Sequence, residues 1–149
     1  MQKALIFLGT IILCLSCSTV PKSYFNDELC TPKKDYQEKK ALTAFNALDD
    51  KYSLIVFKSA FNGEKILVTN DSDSLLNQQI HSDKSMGLAK VICINRNYRT
   101  EITELDNGYS FTLDLENTKK GKYIYISKDQ YSKKIKYEIV YSNALCGFK

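Results

Sequence analysis

The 149-residue chain has no tryptophan and a single histidine, His81. One histidine leaves Ser-His or Cys-His catalysis with one base, and the glycines of a nucleophile elbow are missing. Beyond the first seventeen residues the cysteines Cys30, Cys93 and Cys146 show no CxxC spacing, so no metal site is expected. There are only two prolines and six glycines, and no repeat or low-complexity stretch is visible. No apolar run reaches the roughly 20 residues of a membrane-spanning helix. These shortages lead to an expectation of no cofactor and no catalytic set.

What is present begins with the first seventeen residues. Lys3 is the only charge in residues 1–16, and residues 4–15 are almost wholly apolar. A charged start before a short apolar core is the layout of an export signal. Its end, Leu13-Cys14-Leu15-Ser16-Cys17, resembles the lipobox of bacterial lipoproteins, with Ser16 in the small position before Cys17. Cys14 stands where Leu or Val is usual in that family. The resemblance covers this leader alone. It implies cleavage before Cys17, a diacylglycerol on its sulfur, and attachment by two or more acyl chains, which hold where one does not. Ser18 after the cysteine implies the outer membrane, with the domain facing the periplasm. The chain then divides into a signal peptide (1–16), a lipidated tether (17–32) and one β-rich domain (33–149).

Three further cysteines remain. An exported protein can hold a disulfide, and three thiols allow one bridge and one leftover. Cys93 lies in Val91-Ile92-Cys93-Ile94, the interior of a strand pattern, where a thiol behaves as a small apolar group. The pair left for a bridge is Cys30 with Cys146.

Residues 33–50 carry the one helical pattern. Asp35 and Glu38 form a capping-box spacing, and Ala41, Leu42, Phe45 and Leu48 recur at helical intervals. From residue 52 the period becomes two. Residues 53–59 and 65–70 flank Asn62-Gly63, which predicts a tight hairpin with Ile55, Phe57, Phe61, Ile66 and Val68 on its core face. Residues 70–74 read as a polar turn. They lack the later ligands of a calcium loop, because Leu75 and Ser82 fall where oxygen ligands belong. Strands are expected over 75–80, 89–95, 100–105, 109–115, 122–127 and 134–141, with 100–105 at an edge. Around Asn107-Gly108, a three-residue loop setting Leu105 beside Tyr109 keeps Glu104 off the inner face. Eight short strands predict an all-β, antiparallel, Greek-key-like sandwich of the transthyretin- or immunoglobulin-like class, with one short N-terminal helix.

Two surfaces attract functional interest. If Ile124 and Ile126 are core, alternation turns Tyr123 and Tyr125 outward, beside outward Lys134 and Lys136. Aromatic faces next to ammonium groups suit sugars or anionic polymers. The other surface is the polar loop 81–87, with His81, Ser82, Asp83 and Ser85 in sequence. The formal net charge of +4 is a mild excess, and nucleic acid is not an expected partner outside the cell. The reading is a non-catalytic envelope lipoprotein that binds a protein or glycan. An inhibitor or immunity lipoprotein using loop 81–87 against a lytic enzyme or toxin is the alternative, and a small hydrolase depending on His81 the third.

Overall fold

The computed structural model describes residues 20–30, 33–129 and 137–146. In chain order the elements are β1 (Lys22–Phe25), α1 (Asp35–Ala44), β2 (Tyr52–Phe57), β3 (Asn62–Asn70), β4 (Asp73–His81), β5 (Lys90–Asn95), β6 (Thr100–Glu104), β7 (Tyr109–Thr112), α2 (Leu115–Lys120), β8 (Tyr123–Lys128) and β9 (Tyr137–Ser142). They form a β-sandwich of two sheets, ordered β1-β9-β8-β2-β5 and β4-β3-β6-β7. Cys17, Lys134 and Lys136 lie outside the described residues.

The five-stranded sheet is mixed, which corrects the antiparallel expectation. β1 runs parallel to β9, and β2 runs parallel to β8. The four-stranded sheet is antiparallel throughout. The main core lies between the sheets, around Ile55, Phe57, Phe61, Ile66, Ile102, Ile124 and Tyr141. A second core lies on the far face of the five-stranded sheet. There Leu54, Val56, Tyr123 and Tyr125 pack with Ala47, Leu145 and Cys146, beneath Ala41 and Leu42 of α1. At one end, Asn70 joins the layers. Its amide donates to the Asn95 carbonyl (3.1 Å) and the Thr100 hydroxyl (3.0 Å), and its oxygen accepts from the Asn95 amide (3.0 Å).

Three local expectations change. β2 and β3 do not form a hairpin: β2 pairs with β5 and β8, and β3 with β4 and β6. The reason is burial. Leu54, Ile55, Val56 and Phe57 are all buried, so β2 takes an interior place, between β8 and β5, in a sheet covered on both faces. Residues 58–61 then cross to the other sheet, with Ala60 at φ 77°. Asn62-Gly63 opens β3 at an irregularity opposite His81 instead of turning the chain. The five core residues assigned to those two strands and their link are nonetheless buried.

β6 is interior, between β3 and β7, and the β6–β7 register sets Glu104 opposite Tyr109. The loop therefore has four residues, 105–108. Gly108 takes the left-handed conformation there (φ 69°). Glu104 is buried because partners for its carboxylate meet it inside. Residues 115–120 form helix α2 where a strand end was expected. Asp114 caps it by accepting the Asn117 amide at 2.7 Å, and Lys119 and Lys120 lie near its negative C-terminal end.

The stretch expected as tether is partly built into the sandwich. After β1, the Asn26 amide donates to the Tyr141 carbonyl (2.8 Å), Asp27 accepts the Asn143 amide (2.6 Å), and Cys30 is disulfide-bonded to Cys146. Cys93 is the free cysteine among the described residues. Helix α1 starts without a side-chain cap. Its Glu38 reaches the Tyr123 hydroxyl instead.

Candidate functional site

One end of the sandwich gathers the chemistry. The chain leaves β2 and enters β3 there, leaves β4 and enters β5, and turns from β6 to β7. β8 ends and β9 begins at the same level. Two groups of residues define this end.

The first group is a buried ionic cluster. The Lys128 ammonium donates to Glu64 Oε1 at 2.6 Å and to Glu104 Oε1 at 3.1 Å. The Asn107 amide also donates to Glu104 Oε1 (2.8 Å), and the Tyr137 hydroxyl donates to Glu104 Oε2. Side-chain exposures of 14 % for Lys128, 17 % for Glu64 and 5 % for Glu104 make these charges mutually dependent. Burial pulls the Lys128 ammonium down, but its bonds to Glu64 and Glu104 outweigh that and hold it above the usual lysine range. Burial pushes the Glu64 carboxyl up, yet the Lys128 bond and the backbone amides of Glu64 and Asn62 hold it below the usual range. Burial, then Glu104, raises the Tyr137 phenol, so it stays a donor. Its ring stacks on Tyr109, with centroids 5.6 Å apart. Glu64 and Glu104 belong to one sheet, Lys128 and Tyr137 to the other. The cluster clasps the two layers beneath the loops.

The second group is the loop between β4 and β5. Asp83 and Leu88 form a short antiparallel bridge, and the Gly87 amide donates to the Asp83 carbonyl at 2.8 Å. Asp83 Oδ1 accepts from the Ser85 hydroxyl (2.5 Å), the Ser85 amide (2.7 Å) and the Met86 amide (3.1 Å). The Ser85 hydroxyl and these amides hold the Asp83 carboxyl below its usual range. Gly87 is left-handed (φ 63°), as so tight a turn requires. Met86 stands 48 % exposed at the tip. Beside the loop, a cleft of about 260 Å³ is lined by Ser59, Ala60, Asn62, Ser82, Asp83 and Lys84, among others.

Of the triad residue types in this loop, Ser85 and Asp83 are bonded to each other within the turn, and among the described residues no hydrogen bond joins His81 to either. The Ser82 hydroxyl donates to the Lys58 carbonyl (2.9 Å) and accepts the Phe61 amide (2.9 Å). Asp83 serves the turn, and the His81 ring lies against the backbone of Gly63. Among the described residues, no three His, Cys, Asp or Glu side chains are grouped to hold a metal ion.

The expected ligand surface is not where alternation put it. Tyr123 and Tyr125 are 0 % and 1 % exposed. The sheet face they occupy is covered by α1 and by residues 144–146. The Tyr123 hydroxyl donates to Glu38 (2.7 Å) and the Tyr125 hydroxyl to the Ala144 carbonyl (2.8 Å). Burial raises both phenols, Tyr125 to about 12 although the Cys146 amide bonds its oxygen. The sequence held a signal for this: Tyr123-Ile124-Tyr125-Ile126 is a continuous apolar run, the mark of a strand buried on both faces. The ionic cluster was missed because Lys128 stands 64 positions from Glu64 and 24 from Glu104 and meets them only across the sandwich.

No protein-family model matches the chain, and no curated protein or solved structure matches it either.

Proposed function

We propose that the protein is a non-catalytic envelope lipoprotein, held in the outer membrane by acylated Cys17, whose periplasmic domain binds a protein partner through the loop end of the sandwich. The observation that carries this reading is the 83–88 loop, fixed by three bonds to one Asp83 oxygen and tipped by exposed Met86. A loop ordered before docking loses little conformational freedom on binding, and an apolar tip beside a polar cleft suits a protein surface. The glycan arm of the expectation rested on Tyr123 and Tyr125, which are buried. The finer fold class, a Greek-key-like transthyretin or immunoglobulin relative, belongs to the same proposal. The crossings from β2 to β3 and from β5 to β6 between sheets support it.

The same loop favours one second reading. A narrow, prefolded projection is the shape that blocks an enzyme cleft, so the partner is a lytic enzyme or toxin in the inhibitor version. A hydrolase built on His81 has less support, since Ser82 and Asp83 are engaged elsewhere.

The test is a crosslinked pull-down from the envelope with the full chain and with Met86→Asp, washed across a salt series. One protein retained at high salt by the parent and lost by the variant is the expected result. Equal retention by the variant, or only salt-labile material, overturns the loop assignment. A fall in the captured enzyme's activity on adding the chain selects the inhibitor version.

A further inference from the structure

The sandwich takes up the chain soon after Cys17. Val20 already lines a cleft of about 180 Å³ with Ser23, Thr112, Asp114, Ile139 and Tyr141, among others, so the entry to β1 lies beside β7 and β9. Val20 stands three positions after Cys17, and three residues span at most about 11 Å. A diacylglycerol on Cys17 therefore holds one corner of the domain close to the membrane surface.

That corner has a membrane-facing chemistry of its own. Phe25 stands opposite Tyr141 in the β1–β9 register. The Tyr141 hydroxyl accepts the Asp114 amide (2.9 Å), and Asp114 caps α2. Three apolar side chains are exposed here: Val20 (84 %), Phe25 and Leu115. Lys119 and Lys120 end α2, and Lys120 makes no ion pair among the described residues. Apolar groups that enter the headgroup boundary, beside lysines whose ammonium groups reach phosphates, suit a lipid interface.

We infer that this corner, built from β1, the end of β7 and α2, rests on the phospholipid surface that holds Cys17, an orientation that depends on the acylated Cys17 of the proposed function. β1 and β7 are the sheet edges on this side, and β5 and β4 the edges on the other. Four strand spacings, roughly 19 Å, separate β1 from β5. α2 follows β7 at the end away from the β6–β7 turn, whereas the 83–88 loop joins β4 to β5 at the end that holds this turn. The Met86 tip is thus diagonally opposite the anchor and points away from the bilayer. The partner it meets approaches from the aqueous side, not from within the same membrane.

The chain has no tryptophan, so single reporters test the orientation. The full chain carrying Leu115→Trp or Met86→Trp is purified from cells in detergent. It is then reconstituted into phosphatidylethanolamine–phosphatidylglycerol vesicles with and without brominated acyl chains. An interfacial side chain lies roughly 5–10 Å into the headgroup–acyl boundary, so Leu115→Trp should lose about half of its emission or more to bromine. Met86→Trp should lose none, and Phe25→Trp, on β1, should repeat the Leu115→Trp result independently of α2. Reporters at 25 and 115 that stay bright, or quenching equal to that of Met86→Trp, overturn the orientation. The mass of the Cys17 peptide is read from the same sample. Acylated Cys17 with bright reporters sinks the orientation alone, whereas unmodified Cys17 removes the anchor and the orientation with it.

Discussion

The Tyr123 hydroxyl donates to the Glu38 carboxylate at 2.7 Å, tying helix α1 to the strand it covers. The helix is short, lacks a side-chain cap and has no fully buried residue of its own, so this bond is a large part of its attachment. Tyr123→Phe should destabilise the domain by about 1–2 kcal/mol in urea unfolding. Amide exchange in α1 should rise more than in β3, and equal protection in both would show that the helix is held by packing alone.

The Lys128 cluster sets a pH window. Glu64 is held below the usual carboxylate range, so its contribution is present above that range and is lost as pH falls through its folded value. Lys128 is held above the usual lysine range, so its contribution is complete below that range and is lost as pH rises through its folded value. Stability from this pair should be flat from about pH 5 to about pH 10. Lys128→Met strands two buried carboxylates and should lower the plateau by roughly 3–5 kcal/mol. It should also abolish the loss of stability at alkaline pH, because the ammonium whose deprotonation causes it is gone. Urea titrations at several pH values measure both.

Gly63 has φ +109°, and a Cβ placed on it would stand 2.7 Å from Cε1 of His81. Gly63→Ala should therefore cost about 1–3 kcal/mol, from strain together with the clash. Adding His81→Ala should recover only the share due to the ring. Full recovery in thermal melts would mean that the backbone tolerates alanine there.

The Cys30–Cys146 bond closes a loop spanning 116 positions. Replacing both cysteines by serine should lower stability by about 2–4 kcal/mol. A reductant should lower the parent to the same level and leave the double variant unmoved, which separates the bond from other effects of the substitutions.

The fold class was legible because the alternation of 109–113 and the core residues of β2 and β3 are local signals. Pairing was not. Asn62-Gly63 has the chemistry of a tight turn, yet Leu54-Ile55-Val56-Phe57 needed neighbours on both sides and cover on both faces, and that demand outweighed the turn. Tyr123 and Tyr125 were misplaced by the same step, since period-two reasoning presumes one wet face. Glu104 was kept outside because a buried charge is unfavourable alone, and Lys128, which compensates it, arrives from the other sheet. The disulfide pair followed from elimination among three thiols, one of which sits inside a strand pattern. The 83–88 loop was visible as a polar interruption, but the role of Asp83 in shaping it required coordinates.

β9 lies between β1 and β8, and Lys22 stands opposite Glu138, 116 positions later in the chain. The five-stranded sheet therefore cannot close around its first strand until the final strand exists. A chain made from its first residue onward would carry β1 unpaired through nearly all of synthesis, and such non-local pairing is slow to form. The order of strands acts as a timer: the layer that holds the first strand stays open until the tail arrives to shut it.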